Sequence, residues 1–276
     1  MSRWSPRTKR CGRHARPPAE LAWNLNTSRA GSTTAMPRPR RLLPAGFVYH
    51  ILNRANERAR IFQSAKDFEN FLRLMRETSA HVPMRICAYC VMPTHWHLVL
   101  WPTVDGAISL YVHRLSTLHS MQHRRRRRSV GHGHVYQGRF RSFPVEGSRY
   151  YFNVVRYVEA NALRAGLVNR AEAWPWSSLS ARINGSPLVH PGPLPLPDNW
   201  VELVNARAQQ DELDMLRACL GAGRPYGASQ WVERTAVSQG LTQTTRPRGR
   251  PRQPSPAGHL HQRPASRQAT SPRVPA

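Results

Sequence analysis

The chain has 276 residues, enough for one or two domains with a sizeable core, and a formal net charge of +26 that points to a polyanionic partner. The charge is uneven: +9 over residues 1–41, +10 over 42–241 and +7 over 242–276. Four cysteines (Cys11, Cys87, Cys90, Cys219) are too few and too scattered for a disulfide framework, so a reducing cytoplasm is expected, and no apolar run approaches the length of a membrane-spanning helix.

Only Lys9 and Lys66 are lysines. A bias to arginine also fits a GC-rich genome, so charge sets a class of partner and not a function. Residues 1–41 are rich in Arg, Pro, Ser and Thr without apolar periodicity and are expected to be disordered, with Met36 as an alternative start. Residues 46–53 carry the aromatic and β-branched content of a strand. Ser64 and Asp67 form a capping-box-like start, and Phe68, Phe71, Leu72 and Met75 continue as an amphipathic helix. Residues 84–92 and 95–101 are apolar runs divided by Pro93-Thr94, which reads as an antiparallel pair. A second helix is expected over 106–122 with Ile108, Val112, Leu115 and His119 on one stripe, followed by a mobile basic loop from Arg124 to Arg128. Residues 139–145 alternate as a strand, and a third helix covers 148–163. Cys87 and Cys90 lie in a strand, where a spacing of three puts them on opposite faces, so packed small residues describe them better than a zinc site.

This order, β-α-β-β-α-β-α, predicts an α+β fold: a ferredoxin-like four-stranded antiparallel sheet with helices on one face, the other face being free for a site. Residues 42–182 form that domain, 183–198 a stiff proline-rich linker, 199–241 a small helical C-terminal extension and 242–276 a disordered basic tail. In the extension Asp198 is placed to cap a short helix, a second helix carries Leu213, Leu216 and Leu220 and ends at Gly221, and a third lies between Ser229 and Gly240.

Two features carry chemistry. In Met92-Pro-Thr-His-Trp-His-Leu-Val-Leu100 the alternation of a strand points His95 and His97 to one face and Trp96, Leu98 and Leu100 to the other. Two imidazoles on one face can hold a metal ion, although packed strand histidines would look the same. On the third helix Tyr151, Val154, Val155, Val158 and Ala162 make an apolar stripe, while Tyr157 and Asn161 stand one turn apart on the polar side. They are a candidate nucleophile and third metal ligand, the alternative being an ordinary surface tyrosine.

Four pieces, Phe47-Val-Tyr-His-Ile-Leu-Asn-Arg54, Ala88-Tyr-Cys-Val-Met-Pro-Thr-His-Trp-His97, Tyr136-Gln-Gly-Arg-Phe140 and Arg156-Tyr-Val-Glu-Ala-Asn-Ala-Leu-Arg-Ala-Gly-Leu-Val168, resemble the REP-associated tyrosine transposases, a branch of the single-tyrosine HUH transposases. They occur in family order and spacing over about 46–180. The departures are Thr94, where members usually have asparagine, and Ala162, where many have proline. The resemblance implies that His95, His97 and Asn161 bind a divalent metal, Mg²⁺ or Mn²⁺, and that Tyr157 attacks a scissile phosphate to leave a 5′-phosphotyrosine bond and a free 3′-OH. It also implies a homodimer acting on single-stranded DNA at hairpin-forming repeats.

The DNA-binding residues expected are Arg124, Arg125, Arg126, Arg127 and Arg128 in the basic run, Arg139 and Arg141, and Arg246, Arg248, Arg250 and Arg252. The last four lie in Arg-Pro-Arg-Gly-Arg-Pro-Arg, which resembles an AT-hook reading the minor groove. A rival reading of another class is a domesticated DNA-binding regulator that keeps the fold without the chemistry. An RNA-binding ferredoxin-like module would need exposed stacking aromatics on its sheet, and these are not found.

Overall fold

Strand β1 (Val48–Arg54) is the hub of the fold because it pairs on both sides, with β3 (His95–Trp101) and with β4 (Arg141–Val145). β2 (Arg85–Met92) completes an antiparallel sheet of order β2-β3-β1-β4, the ferredoxin-like arrangement expected from the βαββαβ order. The computed structural model describes residues 43–127 and 133–246. The expected N-terminal segment, Arg128, Arg248, Arg250, Arg252 and the rest of the tail lie outside them.

The sheet divides the core in two. Tyr49, Ile51, Trp96, Leu98 and Leu100 pack on one face against Phe68, Phe71, Leu74 and Met75 of α1 (Ala65–His81) and Ile108, Tyr111, Val112 and Leu115 of α2 (Ala107–Arg127). Each of these large side chains contributes roughly 1.5–3 kcal/mol by leaving water. α1 starts where Asp67 Oδ2 accepts the Ser64 N–H at 3.0 Å.

The face expected to be free is covered. Val48, Val99, Phe143 and Val145 pack under Tyr151, Val154, Val155 and Val158 of α3 (Arg149–Glu159), whose apolar stripe needs a partner as the sheet does. Ala160 (φ −81°, ψ 4°) breaks the expected third helix, and α4 (Asn161–Arg164) resumes it. α5 (Ser178–Ile183), α6 (Trp200–Asn205), α7 (Gln210–Ala222) and α8 (Ser229–Ser238) follow. Trp200, Val204, Leu216 and Cys219 belong to the same second core.

Four local expectations are corrected. The run Arg124–Arg127 is the last turn of α2 and not a loop; arginine is a good helix former, and cations suit a helix C-terminus. Cys87 and Cys90 face the same side, because Ile86 pairs with Leu100 and Ala88 with Val99, so Cys87 is the extra residue of a β-bulge. The residue before α6 is Asn199 in place of Asp198, and its side chain makes no capping hydrogen bond. Gly221 lies inside α7, which ends on Gly223 in the left-handed region that glycine tolerates. The proline-rich stretch does not run free: the His190 N–H donates to Ile86 O at 2.8 Å, and Leu188 is buried in the first core.

Candidate active site

The antiparallel register sets Leu52 opposite His97 and Arg54 opposite His95, so the two histidines share their face with the end of β1. His50, one pleat further along β1, lies within 2.9 Å of the His97 Nδ1 through its Nε2, and their rings stack at 5.0 Å. Thr94 Oγ1 lies 3.0 Å from His95 Nδ1. In the tautomer where both Nδ1 atoms donate, to Thr94 and to His50, the Nε2 atoms of His95 and His97 present lone pairs. His50 and His97 are 1 % and 3 % exposed.

Burial favours the neutral imidazole. It pushes His95 down to about 4, helped by the positive Arg54, and His50 down to about 3. His97 falls well below the ordinary value, first through burial and then through its His50 and His95 neighbours. Neutral nitrogens are what a metal ion requires.

α3 lays Tyr157 edge-on against this pair. Its ring centroid is 5.9 Å from that of His97 and 6.0 Å from that of His50. Asn161 follows one turn later, 9 % exposed, and its Nδ2 donates to Tyr157 O at 3.4 Å. Its Oδ1, the atom a hard cation would take, is not part of that bond. Arg164 donates to the same carbonyl at 2.8 Å while its guanidinium carbon sits 4.2 Å from the Tyr157 ring centroid. Behind the helix, the fully buried Glu159 accepts from Ser178 Oγ at 2.5 Å, Trp200 Nε1 at 2.7 Å and Arg182 Nε at 3.1 Å, which fixes α3 to α5 and α6.

Among the described residues no group of three His, Cys, Asp or Glu could hold a metal ion. A three-donor set at this place therefore needs the Asn161 amide. Two imidazoles and an amide oxygen suit Mn²⁺ or Mg²⁺.

Arginines gather at the same end of the sheet. A recess of about 450 Å³ is lined by Arg54, Glu57, Arg58, Gln137 and Arg141. Glu57 and Arg58 hold positive φ (50° and 54°), a conformation that non-glycine residues adopt at a cost of about 1–3 kcal/mol each. Arg141 also donates to Gly221 O at 3.4 Å. The end of α2 comes to this end too: His119 stacks on Phe62 at 4.9 Å, and the N–H groups of Ile61 and Phe62 both bond Pro93 O in the turn before His95. Of its arginines, Arg124 donates to Gly133 O, Arg126 pairs with Asp67 at 3.2 Å, and Arg125 and Arg127 are exposed. Arg139 and Arg246 are exposed as well.

The sequence reading takes His50 for a structural histidine, sets Arg164 on the polar side of the third helix without a role, and gives no part to Arg54 and Arg58. His50 and Arg54 alternate on β1, but only the β1–β3 register reveals their neighbours. Arg164 is three residues beyond Asn161, a helical spacing that was legible.

Residues 45–161 match the family model described as IS200-like transposase. No curated protein matches. Among solved structures the chain is similar to a REP-associated tyrosine transposase bound to a REP hairpin, with 18% identity over 63% of this chain and 98% of that one and a TM-score of 0.45. It is also similar to a Deinococcus radiodurans R1 protein described as a transposase candidate, with 14% identity over 51% of this chain and 92% of that one and a TM-score of 0.32. His95, His97, Tyr157 and Asn161 all fall inside the stretch that matches the family model. Over residues 45–161, less than half of its length, the chain is similar to the IS200-like transposase family.

Proposed function

We propose that the protein cleaves and rejoins single-stranded DNA at hairpin-forming repeats through a covalent bond to Tyr157. The observation that carries this reading is the Tyr157 ring seated edge-on against His97, with Asn161 one turn along. The Tyr157 Oη attacks the scissile phosphorus, the P–Oη bond forms and the P–O3′ bond breaks. The phenol proton leaves for solvent, and the released O3′ takes up a proton as a 3′-OH. The 5′-phosphate stays on Tyr157, so attack by a 3′-OH reverses the step and rejoining needs no nucleotide cofactor.

His95, His97 and Asn161 would hold Mg²⁺ or Mn²⁺, which when bound withdraws charge from the phosphate oxygens. Neutral imidazoles with fixed Nδ1 partners support that assignment. Arg54, Arg58, Arg141, Arg139 and the Arg124–Arg127 turn would take backbone phosphates, giving affinity more than sequence. Arg246, with Arg248, Arg250 and Arg252, would add minor-groove contacts and association with the nucleoid. A homodimer acting at paired repeats completes the proposal.

The test is covalent capture. The purified protein is incubated with Mn²⁺ and single-stranded DNA from the repeats flanking its gene, and the products are run on a denaturing gel. A protein–DNA adduct that disappears in Tyr157→Phe and in His95→Ala is expected. No adduct with the wild type, or one that survives Tyr157→Phe, overturns the enzyme reading; repeat binding without any cleavage would indicate the regulator.

A further inference from the structure

The helical extension lies beyond the residues that match the family, yet it borders the nucleophile. A pocket of about 360 Å³ opens between α3 and the α6–α7 connection, residues 206–209, with Tyr157 in its wall. Leu163, Val204, Leu213 and Leu216 give it an apolar interior, while Arg156, Arg164 and Arg207 lie around it. The connection is held in place: Arg156 donates to Ala206 O at 2.8 Å, and Asn153 joins α3 to Glu212 of α7 at 3.4 Å. Glu212 is the only acid in the lining, and that contact engages it.

We propose that this pocket seats one unstacked base of the single strand, beside the phosphate that Tyr157 attacks. The proposal rests on the strand-cleavage reading above for which strand is bound, and it makes the extension part of the active site. An apolar interior does not suit a phosphate, but it does suit the face of a base. Three arginines around it match the phosphates on either side of that base. The size is that of a small-ligand site and too small for a helix of a partner protein. Extruding a base costs least in DNA that is already single-stranded. The contact would fix the strand's register at Tyr157, since the next phosphate is one nucleotide away.

The experiment uses the full chain carrying Tyr157→Phe, so that binding is read without chemistry. Single-stranded DNA from the flanking repeat carries 2-aminopurine at successive positions, and both fluorescence and affinity are measured. One position beside the cleavage point should change in fluorescence, and an abasic site there should weaken binding about tenfold. Ala208→Trp, which fills the pocket, should abolish the fluorescence change and make the abasic site no worse than the intact base. Arg207→Ala, on an exposed side chain, keeps the fold testable and should weaken binding and lower the salt slope by about one. If no position responds, or if the response and the abasic penalty are unchanged in both variants, the proposal is overturned. Adduct formation by the protein with Tyr157 intact reports on the cleavage reading separately: a missing adduct with a surviving 2-aminopurine response defeats that reading and leaves the base pocket standing.

Discussion

His50 has no phosphate or metal to touch in the proposed reaction, yet it holds the Nδ1 side of His97 at 2.9 Å. Partners in that position fix the tautomer and the ring orientation of a metal ligand, and their loss typically weakens metal binding 10–100-fold. His50→Phe is therefore expected to lower Mn²⁺ affinity by about that factor in calorimetric titration, with the far-ultraviolet dichroism unchanged. Unchanged affinity would make His50 a packing residue only. The departure at Thr94 needs no such rescue, since its hydroxyl reaches His95 Nδ1.

Glu159 tests a second residue-scale point. It is fully buried and bonded to Ser178, Arg182 and Trp200, so Glu159→Ala leaves Arg182 with its Cys87 carbonyl partner alone and strands two neutral donors. Breaking a buried pair in this way costs on the order of 3–5 kcal/mol. A denaturant midpoint within experimental error of the wild type would refute this. The sequence hid this role, because a glutamate two residues from Tyr157 reads as a surface charge until α5 and α6 are seen to close over it.

At the scale of elements, what was legible was periodicity. The stripe Ile108, Val112, Leu115 and His119 is buried as the spacing predicts, and the strand alternation turned both histidines away from Trp96. What was not legible depends on pairing. The bulge at Cys87 changes which side a cysteine faces, and no propensity signals it. The coverage of the second sheet face also escaped: the apolar stripe of α3 was legible, but nothing in the sequence says which face of the sheet it meets.

The proline-rich stretch makes a prediction of the same kind. Gly192 (φ +94°) runs so close to Tyr151 that a Cβ there would stand 1.9 Å from the hydroxyl oxygen. Gly192→Ala meets both an unfavourable φ and a collision, and a loss of about 1–3 kcal/mol is expected. Thermal unfolding of that variant, compared with Gly185→Ala, separates the two effects, since Gly185 shares the positive φ but has nothing within 4 Å.

For the whole molecule, buried histidines tie stability to pH. Tyr136 accepts the Trp96 N–H at 2.9 Å and its hydroxyl lies 2.7 Å from His119 Nδ1, which in the tautomer that accepts this hydrogen is a neutral imidazole. Burial pushes both His119 and His50 down from 6.5 to about 3. Above 6.5 neither state binds a proton at these sites, so nothing changes. Between 6.5 and about 3 the unfolded chain binds protons that the folded chain refuses, so stability falls as pH falls, by about 1.4 kcal/mol per pH unit for each such histidine. Urea midpoints should drop steeply from pH 7 to pH 5, and His119→Phe should flatten the slope; an unchanged midpoint across that range would count against it.

The apolar contact between α6–α7 and α3 has a bearing on how such a chain can be cut or recombined. Trp200, Val204, Leu216 and Cys219 are not the core of a separate unit but the outer part of the sheet domain's own second core. A fragment stopped at residue 198 would keep every histidine, tyrosine and asparagine of the site, yet it would expose a greasy flank where those four side chains now sit. The candidate site is thus portable as a sequence but not as a folded object, and a swap of C-terminal segments between relatives would have to exchange both sides of this contact together.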